Sequence, residues 1–158
     1  MSLVLTSESF DAGDPIPAKH ARDGVAGALN ISPQLSWRGA PDGTRSFALV
    51  MVDRHPIAGE WVHWMVVDLP ADVDSLPEGA SGADMPEGAV ELRNTFGDVG
   101  YGGPQPPPGS GVHEYEIGIY ALNVEHLDLP EDADFAAFLE AVRPVMLEAA
   151  TIRGTFEL

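Results

Sequence analysis

Apolar positions along this chain recur with the spacing of strands more than of helices. Two runs dominate, SFALVMVD at 46–53 and WVHWMVVDL at 61–69. Both are almost continuously apolar, which predicts strands covered on both faces. A third strong strand is predicted over 112–122, VHEYEIGIYAL, with shorter candidates at Leu3–Thr6 and Gln34–Trp37. The turn-like GAPDG at 39–43 closes the last of these. The segments 11–29 and 70–91 carry Gly, Pro and polar residues and read as loop. Helical spacing comes late: Phe135, Phe138, Leu139, Val142 and Met146 recur at three- and four-residue steps, with Asp132 or Asp134 as the N-cap. Pro144 predicts a break near Arg143, with a second short helix starting there. TIRGTFEL, at 151–158, alternates as a closing strand. With no repeat or linker, the 158 residues read as a single mainly β domain, 1–158, with short helices near the C-terminus.

Charge changes this picture more than composition does. The chain has 25 acidic and 8 basic residues, a formal net charge of −17, and Lys19 is its only lysine. The excess lies mostly beyond residue 70, where Arg93, Arg143 and Arg153 are the only basic residues. Self-repulsion of this size opposes a compact state in dilute buffer, and molar salt screens it. Acid-rich, lysine-poor surfaces of this kind resemble those of halophilic proteins; an ordinary acidic protein has the same composition. Either way no basic patch is available for nucleic acid or an anionic membrane. No apolar run is long enough to span a bilayer. MSLVLTSESF lacks the basic start and apolar stretch of a secretory signal, and there is no cysteine, so a cytoplasmic location is the expectation.

Candidate chemistry gathers at strand ends. Asp53 ends one strong strand, while His63 and His113 begin the other two. Alternation puts Phe47, Leu49, Met51 and Asp53 on one face, His113, Tyr115, Ile117 and Ile119 on another, and Trp61, His63 and Met65 on a third. Antiparallel neighbours would bring these ends to one rim of the sheet. Beside them lies YGGPQPPPGSG, 101–111, in which eight of eleven residues are Gly or Pro. Three chemistries use such a set. Imidazoles with a carboxylate suit zinc, but neither HExxH nor His-x₃-His is present. Ser–His–Asp hydrolysis would need Ser110, and no GxSxG is present. Anion binding needs only imidazolium, a tyrosine hydroxyl and free backbone N–H groups. Each residue also has a structural reading: a rim histidine, a turn-capping aspartate, a core tyrosine.

Four segments together resemble the phosphatidylethanolamine-binding proteins, in their bacterial and archaeal Raf-kinase-inhibitor-like branch. They are NISPQLSW (30–37), SFALVMVDRHP with WVHWMVVDLPAD (46–56 and 61–72), RNTFGDVGYGGPQPPPGSGVHEYEIGIYAL (93–122) and LEAATIRGTFEL (147–158). The resemblance implies a large central antiparallel sheet packed on a smaller one, and a pocket for phosphate-type anions at the large sheet's rim. It implies ligand-binding roles for Asp53, Pro56, Trp61, His63, Gly103, Pro107, His113 and Tyr115, with no cofactor and no catalytic residue. Asp53 is expected to orient a histidine, His63 and His113 to donate to the anion, and the glycine wall to allow close approach in a small polar pocket. Two departures stand out. The family's Asp-Pro-Asp-x-Pro is here Asp53-Arg54-His55-Pro56, where His55 either enters the pocket or replaces a turn residue, the turn being preferred; Glu114 replaces an arginine and points away from the pocket. The resemblance also implies a homodimer and, as an alternative role, inhibition of a kinase or serine protease. A metal-assisted hydrolase is the remaining alternative.

Overall fold

A computed structural model describes residues 2–158. Its eight strands are β1 (Val4–Thr6), β2 (Leu35–Arg38), β3 (Ser46–Asp53), β4 (Val62–Pro70), β5 (Ser75–Leu76), β6 (Val90–Glu91), β7 (His113–Leu122) and β8 (Met146–Phe156), and its one α-helix is α1 (Phe135–Val142). The large sheet has the order β6-β4-β3-β7-β8 and the small sheet β1-β2-β5, with every neighbouring pair antiparallel. The fold is mainly β, as expected. The stretch 70–91, read as loop, contributes the two-residue strands β5 and β6 to the edges of the sheets.

The near-continuous apolar runs are covered on both faces. One face of the large sheet, with Phe47, Leu49, Met51, Trp64, Ile117 and Ile119, packs on Leu5, Leu35 and Trp37 of the small sheet. The opposite face, with Ala48, Val50, Met65 and Val67, is covered by Phe138 and Val142 of α1. Asp134 caps that helix, its carboxylate accepting from the Ala137 N–H at 2.8 Å. The chain breaks at Pro144 as predicted, into a single 3₁₀ turn at Arg143–Val145. That turn is the short second helix expected there, and among the described residues no α-helix follows it. The helical spacing that reaches Met146 is coincidental, and 146–156 form β8, which pairs with β7 along its whole length. The backbone bonds of that ladder, and the β-branched Thr151, Ile152 and Thr155, outweigh a one-face apolar pattern.

Strict alternation fails at one place that matters. Met51 pairs with Trp64 and Val52 with Val62, so His63 is the extra residue of a β-bulge. Trp64 therefore joins the inter-sheet core and Met65 the helix side. His63 stays with Tyr115, its ring edge-on at 5.1 Å, and does not share a face with Met65 as alternation predicts. Bulges re-aim side chains at sheet rims, and this one turns an imidazole toward the end of the sheet.

The basic residues are nearly all engaged. Lys19 meets Glu78, Arg22 meets Asp98, Arg45 meets Glu125 and Arg93 meets Glu131. On the outer face of β7, Arg54 bridges Glu60 and Glu116, and Arg153 bridges Glu114 and Glu116. Glu114 thus points away from the rim, as alternation predicts. Among the described residues, most other carboxylates have no cation within salt-bridge distance, so screening should stabilise the fold. The melting temperature is expected to rise by about 5 °C or more between dilute buffer and about 2 M KCl, equivalent to roughly 2 kcal/mol. A melting temperature that falls with KCl contradicts the repulsion argument.

Candidate functional site

The three strand ends meet where the sequence places them. Asp53 lies opposite Tyr115 in the β3–β7 register, and β4 delivers His63 from the other side of β3. Asp53, His63, His113 and Tyr115 are almost fully buried, between 1% and 4% exposed. They form the floor of a cleft of about 460 Å³, whose walls include Ile57, Ala58, Trp61, Phe96, Gln105, Pro106 and Pro107. The walls are largely apolar, which corrects the expectation of a small polar pocket. A larger, more open groove lies on the far face between α1 and residues 93–95, away from these groups.

Each implied site residue has a definite place. Trp61 and Pro107 line the cleft. Pro56 does not; it starts a 3₁₀ turn, Pro56–Ala58, whose next residues Ile57 and Ala58 do. His55 caps that turn through Nδ1, which accepts from the Ile57 N–H, and its ring stacks on His113 with centroids 4.0 Å apart. It is a turn residue, and it also backs the site. Gly103 is not open to the cleft. A Cβ there would lie 2.0 Å from the His20 carbonyl oxygen, so glycine is required by the chain packed behind the loop. At Gly102 a Cβ would lie 2.7 Å from the Phe96 ring. The bare wall exists for packing against protein, while Pro106 and Pro107 face the cleft. Phe96, not singled out from the sequence, touches both Trp61 and His63 edge-on and is covered by the Arg22 guanidinium. An aromatic in the turn TFGD was its only sequence signal.

Hydrogen bonding decides what each group can offer. His63 Nδ1 lies 2.7 Å from the Gly102 carbonyl oxygen, which can only accept, so Nδ1 carries the hydrogen. The Gly102 N–H returns a bond of 2.9 Å to the His63 carbonyl. Burial pushes the His63 pKa down to about 4, outweighing the Gly102 bond and the Asp53 charge, so the ring is neutral and Nε2 is an acceptor. His113 Nδ1 lies 2.6 Å from Asp53 Oδ2, a contact that needs a proton between them. Ser110 Oγ lies 2.8 Å from His113 Nε2 and 2.6 Å from the Pro107 carbonyl oxygen. Its single hydrogen goes to the carbonyl, so His113 Nε2 donates to Oγ. Asp53 also accepts from the His55 N–H at 2.8 Å. Both His113 nitrogens are therefore occupied, and the expected pair of imidazole donors is not what the geometry presents. The buried Tyr115 hydroxyl makes no hydrogen bond of normal geometry among the described residues, although the Asp53 carboxylate lies close to it, and burial, the Asp53 charge and that contact raise its pKa.

Asp53, His113 and Ser110 have the spacing of a catalytic triad, but the proton count runs the other way: His113 donates to the serine and cannot take its hydrogen. Among the described residues, no three metal-ligating side chains converge. His20 is buried behind the loop, where its carbonyl accepts from Tyr101, and His126 is exposed near Asp68.

The description of the phosphatidylethanolamine-binding protein family matches residues 6–157. The protein YbhB of Escherichia coli is 38% identical, over 98% of this chain and 99% of its own. The crystal structure of E. coli YbcL superposes with a TM-score of 0.93 at 33% identity, covering 100% of this chain and 99% of the other. A homolog from Chlamydia trachomatis gives 0.84 at 34% identity, covering 99% and 98%. The chain belongs to the phosphatidylethanolamine-binding protein family.

Two measurements test this geometry. Gly103→Ala is expected to destabilise the fold by about 3 kcal/mol or more in urea unfolding, because backbone must move; a loss near zero contradicts the packed wall. For His63, the unfolded ring titrates near 6.5 and the folded ring near 4. Between those values the unfolded chain binds a proton that the folded chain does not. The His63 contribution to stability is thus complete above pH 6.5 and is lost as pH falls toward 4, by roughly 3 kcal/mol. His63→Gln should flatten that part of the urea-midpoint profile; an identical slope in the variant contradicts a buried neutral imidazole.

Proposed function

We propose that this member of the phosphatidylethanolamine-binding protein family binds, without chemistry on it, a small phosphate-type group at the floor of the cleft. The observation that carries the reading is the Tyr115 hydroxyl: buried in the cleft that Asp53, His63 and His113 also line, and without a hydrogen bond of normal geometry. A buried unsatisfied hydroxyl costs about 1–3 kcal/mol unless something bonds to it. An anionic oxygen is a suitable partner. Asp53 does not repel it as a free carboxylate would, because a proton shared with His113 lies against it. The apolar walls, Ile57, Trp61, Phe96, Pro106 and Pro107, fit the organic part of a phosphorylated metabolite, head group or phospho-side chain. The net charge of −17 opposes capture at long range, and salt relieves this while contact-range bonds persist.

A hydrolase reading has one observation in its favour, the Asp53–His113–Ser110 chain, and the direction of its hydrogen bonds speaks against it.

Tyr115→Phe separates binding from folding. Phenylalanine removes only this hydroxyl, so stability in urea should hold or rise by up to about 1 kcal/mol. Affinity for phosphoethanolamine, read by calorimetry, should fall by roughly tenfold, the worth of one good hydrogen bond. Unchanged affinity removes the basis of the reading.

A further inference from the structure

His63 and Tyr115 present an unusual pair of free atoms. The bulge and the bond to Gly102 hold His63 Nδ1 out of the cleft, and Nε2 makes no hydrogen bond of normal geometry among the described residues while the ring lines the cleft. A neutral imidazole bonded in this way accepts at Nε2. The charged or titratable groups around it are Asp53 from β3, Tyr115 from β7 and Arg22 from the segment behind the loop; burial outweighs them all. Tyr115, held protonated and with no hydrogen bond of normal geometry, donates, Asp53 being the neighbour that competes for its hydrogen. The two nitrogens of His113 are already bonded, so they add no free donor. The floor therefore offers a tetrahedral oxyanion one hydrogen-bond donor and one acceptor.

An oxyanion fills both only if one of its oxygens brings a hydrogen. We infer that the cleft selects oxyanions that carry their own acidic proton, such as the monoanion of a phosphate or phosphonate monoester, over fully ionised ones such as sulfate and phosphodiesters. The P–OH donates to His63 Nε2 while a P–O⁻ accepts from Tyr115. A sulfate or phosphodiester oxygen placed against Nε2 meets a lone pair, and protonating the ring to receive it must overcome its burial. The inference rests on the reading of the cleft as an anion site and adds the protonation state of the ligand. It has a consequence for the family name: the head group of an intact diacyl phospholipid is a phosphodiester, the disfavoured class.

Calorimetric titration of the full chain in about 2 M KCl with inorganic phosphate, sulfate and dimethyl phosphate tests this. The pH should lie near 5.5, below the second ionisation of a phosphate monoester at about 6 and above the His63 pKa of about 4. At this pH phosphate matches sulfate in size and dimethyl phosphate in charge, so the acidic proton is what sets it apart from both. Phosphate is expected to bind at least about tenfold more tightly than sulfate or dimethyl phosphate, the cost of one unmatched buried contact. Comparable affinities, or tighter sulfate, overturn the selectivity and leave the anion site standing. No binding of any of the three overturns both readings. In His63→Gln, whose amide can turn either its N–H or its C=O into the cleft, the phosphate-to-sulfate ratio should collapse toward one. A preserved ratio removes His63 as its source.

Discussion

The site depends on a double stitch between one residue of β4 and one of the bare loop. The Gly102 N–H bonds to the His63 carbonyl and the His63 ring bonds back to the Gly102 carbonyl. This pair fixes three things together. It holds the loop against the rim of the sheet, it sets the tautomer of His63, and it aims the remaining nitrogen at the cleft. It can form because a β-bulge frees His63 from the regular ladder. It persists because Gly102 and Gly103 have no side chains to keep Phe96 and the His20–Arg22 backbone away. Loss of any of these parts would loosen the cleft wall and the imidazole together.

Around the stitch, polar groups are partnered in an order that leaves little free. Asp53 serves both His113 and the turn at His55, and Ser110 ties His113 to the proline wall. These groups make a rigid back to the cleft. Among the floor groups, what remains available is the acceptor on His63 and the hydroxyl of Tyr115, at the base of largely apolar walls. Preorganised polar atoms beneath an apolar opening suit a ligand with a small charged end and an organic remainder. The acidic exterior sets a long-range penalty on such a ligand, so affinity has to come from contacts that salt does not screen.

Much of this was legible in the sequence because strand periodicity is local. The runs at 46–53 and 61–69 are strands with both faces covered, 112–122 holds a third strand, and Asp53, His113 and Tyr115 fall at one rim. The rest was hidden by non-local causes. The bulge at His63 is a register between two strands, so alternation misassigns Met65. The helical spacing runs on to Met146, but β7 pairs along its full length with the strand that starts there. Gly103 looked like an open wall, and what requires it is the backbone near His20, more than eighty residues earlier. Phe96 and the role of Ser110 depend on contacts that no spacing encodes. The donor and acceptor roles of the two histidines, which decide what the cleft can hold, are set by the carbonyls and hydroxyl beside them.

The most direct test of this account is nitrogen NMR of the histidine rings in about 2 M KCl, with and without phosphoethanolamine. The account predicts that at neutral pH His63 is neutral, protonated on Nδ1 and bare on Nε2. Saturating phosphoethanolamine near pH 5.5, where a phosphate monoester of second pKa about 6 still holds its proton, should shift the His63 Nε2 signal and leave the bonded His113 nitrogens nearly in place. A His63 ring protonated on Nε2, or shifts confined to His113, would contradict it.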